Sequence, residues 1–266
     1  MFKQAMVLVM GCGALMVGCA QEEGTPAREA VAVDETQEIV ENLVEAGFPS
    51  DDIKIVDGLV YVGNDAVVSL EASREMLQVD ASAGGQEQYR TNNLVGSNIG
   101  LICIIGNGFS GTLGQGLDLA IQNYNQQGLS FRMERRNSGA TSGCNATITG
   151  RVAGPAGGQA GFPSGGRPFN SFQIGQGTAQ FGVNVVEHVI THELGHTIGF
   201  RHSDFFNRSI SCGEGGNEGN GGVGAILIPG TPSGATVGGS LMNSCFRTSE
   251  NGEFTSSDIT ALQALY

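Results

Sequence analysis

Basic residues are scarce in this 266-residue chain, which has 13 lysines and arginines against 26 acidic residues and a formal net charge of −13. Without a basic surface to contact phosphates, nucleic acid is not an expected partner. Long apolar runs are also scarce. The only one, residues 5–17, is shorter than the ~20 residues of a membrane-spanning helix. The chain has no G-K-[ST] phosphate loop and no C-x-x-C pair that would indicate a second zinc site.

The N-terminus has the pattern of an export signal. Lys3 precedes the apolar stretch, which ends at Gly18 and Cys19, a small residue followed by cysteine as in bacterial lipoprotein processing sites. We expect residues 1–19 to be a signal peptide of the lipoprotein type, with a lipid anchor at Cys19. The alternative is an ordinary signal peptide that is cut nearby. Both predict an exported protein, either extracellular or held at the outer membrane as a lipoprotein.

Four cysteines follow the signal, namely Cys103, Cys144, Cys212 and Cys245. Their number is even and export leads to a compartment that permits disulfides, so we expect two bridges. Three pairings are possible. We favour Cys212 with Cys245, leaving Cys103 with Cys144.

Charge divides the chain at about residue 85. Residues 20–85 contain fifteen acidic and three basic residues, whereas residues 86–266 contain eleven and nine. Such asymmetry indicates a boundary, and the small, polar residues 80–85 suit a cleavable linker. We expect residues 20–85 to be a prosegment; a permanent accessory domain is the alternative. In a prosegment, a carboxylate such as Asp65 could block the active site, but the sequence does not single it out from its neighbours.

Local patterns predict an α+β fold. In the acidic segment we expect a helix over residues 34–46 and a hairpin whose strands, residues 53–56 and 59–62, meet at Asp57-Gly58. In residues 86–266 we expect strands near Leu101–Ile105 and Ala146–Val152, a helix over residues 184–197, and a last helix that begins with the capping box of Thr255 and Asp258.

The clearest motif is H-E-x-x-H-x-x-G-x-x-H, which spans residues 192–202. His192 and His196 are i and i+4 on the predicted helix and point from the same face. Gly199 can adopt φ > 0, so the helix can end there and the chain can bring His202 to the same metal. With average residue frequencies, three histidines, a glutamate and a glycine would occur at this spacing by chance in roughly 1 in 100,000 chains of this length. Three histidines leave a fourth tetrahedral position open, as in catalytic zinc sites.

Glu193 follows the first ligand and cannot point with it at the metal. It can instead reach a water molecule at the open position and take its proton, the role of a general base. His188 lies one turn before His192 on the same face. A ligand in a shifted register is one alternative, but it would have no glutamate in the right place, so we interpret His188 as a core or supporting histidine.

The motif is the zinc signature of the metzincin peptidases, and longer stretches resemble the bacterial dual-action HEIGH metallopeptidases. The stretches are QYRTNNLV from Gln88, AGFPSGGRPFNSFQI from Ala160, VITHELGHTIGFRHSDFFNRS from Val189, GAILIPGTPSG from Gly224 and FTSSDITALQALY from Phe254. The resemblance implies a metzincin-like zinc peptidase domain with a mixed sheet, an active-site helix and a C-terminal helix, here over residues 86–266. It also implies that Met242 forms the methionine turn beneath the zinc. Ser244 stands where some metzincins carry a tyrosine.

These observations predict a secreted or surface-anchored zinc endopeptidase that acts on a protein or peptide substrate, with one catalytic Zn²⁺. The alternatives are a non-catalytic, surface-anchored zinc-binding protein and a zinc hydrolase of a non-peptide substrate. The glycine-rich run of residues 213–222 is expected to be a mobile surface loop. Its Glu and Asn oxygens make a Ca²⁺ site the alternative.

Overall fold

The computed structural model describes residues 26–63, 65–77, 88–137, 139–219, 225–232 and 234–266. The signal peptide, the anchor at Cys19 and the linker at residues 80–85 lie outside these ranges and stay predictions. Within the described ranges, no helix combines the length and apolar character needed to cross a bilayer.

Six α-helices and ten strands build the described fold. The helices are Pro26–Glu45 (α1), Leu70–Met76 (α2), Gly111–Asn125 (α3), Val183–Ile198 (α4), Ser209–Cys212 (α5) and Ser256–Leu265 (α6). The strands are Lys54–Val56 (β1), Leu59–Val62 (β2), Ala66–Val68 (β3), Tyr89–Arg90 (β4), Leu101–Ile105 (β5), Arg132–Arg136 (β6), Ala146–Val152 (β7), Gly158–Gly161 (β8), Ser171–Ile174 (β9) and Ile226–Leu227 (β10).

Eight of the strands form one mixed sheet in the order β1-β2-β3-β8-β9-β7-β5-β6. The strands β6, β5, β7 and β9 run parallel, and β8 pairs antiparallel with β9. The main core lies between this sheet and α3, α4 and α6. The α+β class with a mixed sheet, an active-site helix and a C-terminal helix is therefore confirmed.

The acidic segment contributes three strands to the same sheet. Its predicted hairpin is present, with Asp57 and Gly58 at φ 51° and 78°, as a two-residue type I′ turn requires. The third strand, β3, pairs parallel with β8, so that Ala66 faces Ala160. The segment also has a core of its own, to which Phe162 contributes from the other half of the chain. The boundary at residue 85 stays a prediction.

The active-site helix α4 is buried on all sides rather than on one stripe. Four apolar residues at helical spacing are fully buried, namely Val186, Ile190, Leu194 and Ile198, and the polar residues between them are buried as well. The sheet covers one side of the helix, and α3 and the segment before α6 cover the others. A polar residue on this helix must therefore have a partner inside the protein.

Covalent and capping features follow the sequence expectations. Disulfides join Cys103 to Cys144 and Cys212 to Cys245, as expected. Thr255 caps α6, and the reciprocal hydrogen bonds with Asp258 form the predicted capping box. Asp258 also accepts hydrogen bonds from Gln88 and from the amide of Leu241. The start of α6 is thereby tied to the segment beneath the active-site helix.

Candidate metal centre

Helix α4 and the turn after it bring three histidines together. His192 and His196 project from the same face of α4. Gly199 then ends the helix at φ 113°, and its amide donates to the carbonyls of Gly195 and His196. A Cβ on Gly199 would lie 2.9 Å from the carbonyl oxygen of Asn93. Only glycine fits this turn without strain, and the turn carries His202 back toward the helix.

Each of the three imidazoles is oriented by an acceptor at its Nδ1 atom. His192 Nδ1 lies 3.0 Å from the carbonyl oxygen of Leu241, and His196 Nδ1 lies 2.9 Å from that of Phe200. His202 Nδ1 lies 2.5 Å from Glu218 Oε1. Because these partners only accept, each Nδ1 must carry a proton, so that each ring, when it is neutral, presents the Nε2 lone pair. That is the form in which histidine binds a metal.

The three Nε2 atoms face a common point. The Nε2 atoms of His192 and His202 are 3.2 Å apart. His196 Nε2 is buried and has no hydrogen-bond partner among the described residues. Burial, followed by the charges of His192 and His202, lowers the pKa of His196 to about 3, which keeps it neutral. Zinc–nitrogen bonds of ~2.0–2.1 Å give ligand separations of roughly 3.3 Å in a tetrahedron, so the residues fit Zn²⁺.

Asp65 of the acidic segment lies beside the three histidines, where the fourth ligand of a tetrahedral zinc site would be. Its Oδ2 lies 3.1 Å from His202 Nε2 and 3.8 Å from His192 Nε2, and its Oδ1 lies 3.8 Å from His196 Nε2. Burial opposes ionisation of Asp65, but the charge of His202 and hydrogen bonds to His202 and His192 hold its pKa below its ordinary range. Among the described residues, these four form the one cluster of His, Cys, Asp and Glu side chains able to hold a metal.

Glu193 lies beside the cluster without joining it. The side chain is buried, and its Oε2 has no hydrogen-bond partner among the described residues. Burial, followed by the charge of Asp65, raises the pKa of Glu193 well above its ordinary value. The backbone of β8 passes directly over this carboxylate, since a Cβ on Gly158 would lie 2.2 Å from Glu193 Oε1. A buried, unpartnered carboxylate of raised pKa is suited to carrying a proton.

Glu218 is the residue of this centre that the sequence did not indicate. It belongs to the glycine-rich run, which was expected to be a surface loop, yet its side chain is buried. Besides His202 it contacts Arg201, whose Nη2 lies 3.2 Å from Glu218 Oε2. Its Oε1 also accepts from Ser244 Oγ at 3.3 Å. Burial opposes ionisation, but His202 and Arg201 lower the pKa of Glu218 to about 2.

The rest of that run matches the expected surface loop in part. Residues 213–217 are exposed, and residues 220–222 lie outside the described ranges. Glu218 is already engaged by His202 and Arg201, so it is not a free ligand for calcium. A Ca²⁺ site elsewhere in the run stays a prediction.

Met242 lies directly beneath α4. A Cβ on Gly195 would lie 2.7 Å from Met242 Sδ, so the helix and the methionine are in close contact at the turn between the first two histidines. The preceding residue, Leu241, accepts the hydrogen bond from His192, and the Met242 carbonyl accepts from the amide of Ser203. The segment thus supports both the helix and the turn that carries His202.

His188 lies outside the cluster. Its side chain is buried, and Nδ1 is 3.8 Å from Glu250 Oε2. Burial, with a contribution from the charge of His192, lowers the pKa of His188 to about 4. It lines the same cavity as His192 and Glu193, one helical turn away from the metal position.

The fold and this centre, in which three histidines cluster beside a glutamate, are those of a metallopeptidase. The model of the dual-action HEIGH metallopeptidase family matches residues 60–266, and the chain belongs to this family. It is a zinc-dependent peptidase, as the sequence resemblance implied. The matched range begins within β2 and therefore includes Asp65.

Solved structures that resemble the chain include myroilysin and a fish hatching enzyme. A structure of myroilysin has 12% identity, a TM-score of 0.40 and coverage of 65% of this chain and 95% of that chain. High choriolytic enzyme 1, a hatching enzyme zinc-protease from the Medaka fish Oryzias latipes, has 16% identity, a TM-score of 0.36 and coverage of 65% and 93%. No curated protein sequence matches the chain.

Proposed function

We propose that this chain is an endopeptidase that acts on extracellular protein, with His192, His196 and His202 as the zinc ligands and Glu193 as the general base. The observation that carries the proposal is the arrangement of the buried polar atoms. Three Nε2 atoms converge while every Nδ1 has an acceptor, and Glu193 Oε2 has no hydrogen-bond partner among the described residues. A structural zinc site would close with four ligands from the same domain.

The residues divide the chemistry between them. When bound, zinc supplies a Lewis acid that acidifies a water molecule and polarises the scissile carbonyl. Glu193 Oε2 accepts the proton of the attacking water and later donates it to the leaving amine. Burial strengthens the basicity of Glu193, because it disfavours the charged form. Glu218 and the carbonyls at the other Nδ1 atoms hold the imidazoles in place while the charge redistributes.

The acidic segment keeps the enzyme latent in this proposal. Its strand β3 covers the edge of β8, and the amide of Ala160 donates to the carbonyl oxygen of Asp65 at 3.0 Å. An uncovered sheet edge beside a catalytic centre can bind an extended peptide through its main chain. The same segment places the Asp65 carboxylate where a water molecule or a substrate carbonyl must approach. One element therefore blocks both the peptide-binding edge and the metal.

Activation then requires a cut in the linker. We propose that the protein is exported, as a secreted protein or as a lipoprotein anchored through Cys19. The two disulfides support export, since such bridges form in oxidising compartments. If residue 19 carries lipid, cleavage near residues 82–88 would free the peptidase and leave the segment at the membrane.

The role of Glu193 is tested by Glu193→Gln. This variant should retain one zinc per chain and its fold but lose turnover by several orders of magnitude, because the general base is gone while the ligands remain. His202→Ala is the matched variant, and it should lose most of the zinc. Near-normal peptidase activity in Glu193→Gln would refute the base assignment, and stoichiometric zinc in His202→Ala would refute the ligand assignment.

Latency is tested in the full chain with a specific protease site inserted at residues 80–85. Activity on one quenched peptide is measured before and after the linker is cut, with the uninserted chain as control. We expect activity to rise on cutting. Asp65→Asn should also raise the activity of the uncut chain, because an amide is a weaker zinc ligand than a carboxylate. Equal activity before and after a complete cut, with the segment shown to have dissociated, would mean that it is an accessory domain.

A further inference from the structure

Arg208 is a charged residue that lines the active-site cavity and that the proposed mechanism does not use. It lies between the third histidine and Met242, and it lines the same cavity of about 590 Å³ as Glu193 and Gly158. The residue is 8% exposed. Its Nη2 donates to Asp52 Oδ1 at 2.6 Å, whereas Nε and Nη1 are buried and lack hydrogen-bond partners among the described residues.

The peptidase half of the chain holds Arg208 in this position by itself. The amide of Arg208 donates to the carbonyl of Gly216, and its carbonyl accepts from the amide of Cys212. Cys212 is fixed in turn by its disulfide to Cys245. None of these contacts involves residues 20–85. Removal of that segment therefore leaves the backbone of Arg208 anchored beside the cavity.

The partner of Arg208, by contrast, belongs to the acidic segment. Asp52 Oδ2 accepts from the amide of Gly63 at 3.2 Å, and Gly63 lies two residues before Asp65. The segment thus presents two carboxylates to the cavity from one short stretch of chain, one to the arginine and one to the histidines. Both must leave together when the segment leaves.

Loss of Asp52 leaves the guanidinium without a hydrogen-bonded anion. Arg201 keeps Glu218, but Arg208 Nε is 3.9 Å from the same carboxylate, which is beyond hydrogen-bonding distance. Lys54, the other cation in the cavity lining, departs with the segment. Glu214 also lines the cavity, but it is exposed and gains little from pairing. A guanidinium that lines a cavity and lacks a hydrogen-bonded anion favours an incoming carboxylate.

We propose that Arg208 determines substrate specificity: in the processed peptidase it binds the carboxylate of an Asp or Glu side chain near the scissile bond, and Asp52 occupies this subsite in the full chain. The inference rests on the proposed peptidase function and on removal of the segment. Guanidinium matches a carboxylate with two parallel hydrogen bonds, from Nη2 together with either Nε or Nη1. Departure of Asp52 frees Nη2, and Nε and Nη1 have no hydrogen-bond partner among the described residues even before it leaves. Peptides rich in acidic side chains are the substrate class that this site fits.

The test uses the full chain, cut in the inserted linker site and freed of the segment. Quenched peptides are compared in pairs that differ only by Glu against Gln, or Asp against Asn, at one of the three positions on either side of the scissile bond. At one position, kcat/KM should be ~10–100-fold higher for the acid, the value expected for a charge-assisted hydrogen bond. Arg208→Gln should bring that ratio of kcat/KM values close to one. Arg208→Glu should instead favour a peptide with Lys at the same position over the peptide with the acid.

Controls separate specificity from folding. The ratio is measured within one enzyme sample, so any loss of folded protein through Arg208→Gln cancels. Arg132→Gln is the matched control, since Arg132 has an exposed side chain outside the cavity lining, and it should leave the ratio unchanged. Glu214→Gln should leave or increase the preference for acid.

The outcomes distinguish this inference from the proposed function. If the cut wild-type enzyme hydrolyses the peptides but shows no acid preference at any position, or keeps that preference in Arg208→Gln, the subsite assignment is overturned while the peptidase function stands. If the cut enzyme, shown to be folded and zinc-loaded, hydrolyses no peptide, the proposed function fails and this inference fails with it.

Discussion

Glu218→Gln should weaken both the fold and the metal site, through two separate contacts of one carboxylate. The substitution preserves the shape of the side chain but removes its charge. His202 Nδ1 then loses a charge-assisted hydrogen bond of 2.5 Å, and Arg201, which is 1% exposed, loses its ion pair. The first contact orients a zinc ligand, and the second compensates a buried cation.

The size of the stability effect follows from the pKa of Glu218. Its pKa is about 2 in the folded state against an ordinary value of 4.5, which corresponds to about 3 kcal/mol of stability at neutral pH. Breaking a buried ion pair from one side typically costs 3–5 kcal/mol, which agrees. Because the folded pKa is depressed, this contribution is present above pH 4.5 and is lost as the pH falls toward 2. Loss of an outer partner of a histidine ligand lowers metal affinity by ~10–100-fold.

Two measurements separate these effects. Urea unfolding of the zinc-free full chain gives the free energy of unfolding, and competition with a chromophoric chelator gives the zinc affinity. The double variant Glu218→Gln/Arg201→Met removes the stranded cation along with the anion. We expect it to recover much of the stability but none of the zinc affinity, because His202 still lacks its carboxylate.

Two results would contradict this reasoning. If Glu218→Gln bound zinc within about twofold of the wild type, Glu218 would not orient His202. If the double variant recovered zinc affinity together with stability, the loss in the single variant would be a general effect of unfolding rather than of ligand orientation.

Two further substitutions probe the same cavity. Gly158→Ala should displace the Glu193 carboxylate and lower turnover while zinc is retained, because the new Cβ would lie 2.2 Å from Oε1. Gly216→Ala is the control, since a Cβ there would lie in open space. Full activity in Gly158→Ala would show that β8 does not constrain the proposed base. His188→Gln should reduce the pH dependence of stability. The pKa of His188 falls from 6.5 to about 4 on folding, so the wild type should lose up to about 3 kcal/mol as the pH drops from 6.5 to 4. A variant that keeps the wild-type slope in urea unfolding across that range would rule out this titration.

Much of the fold near the histidines was predictable because it depends on local spacing. The i, i+4 histidines and the glycine at the end of α4 are separated by a few residues, and helical geometry alone determines how they point. The hairpin turn at Asp57-Gly58 and the capping box of α6 are equally local. The disulfide pairing was also predicted, although it joins distant residues, because the number of free cysteines was small.

Contacts between distant parts of the chain could not be predicted in this way. Strand β3 is three residues long, and β8 contains two glycines, so neither has a strong strand pattern without the other. Glu218 lies in a glycine-rich run that is typical of a surface loop, and its burial follows from the folding of that run over His202 and Arg201. The sequence predicts a prosegment over residues 20–85, but it does not reveal that three strands of this segment extend the peptidase sheet.

The sequence by itself determined the chemistry: three imidazoles and a carboxylate at spacings that a helix and a glycine turn convert into a zinc site. Only the tertiary structure decided what surrounds that chemistry. It selected Asp65 from fifteen acidic residues of the segment as the group beside the three histidines, and it paired Asp52 with Arg208 and Glu218 with His202. Spacing along a helix is set by backbone geometry, which short sequence patterns reveal. The choice of a distant partner is set by strand pairing and burial, which depend on the whole chain.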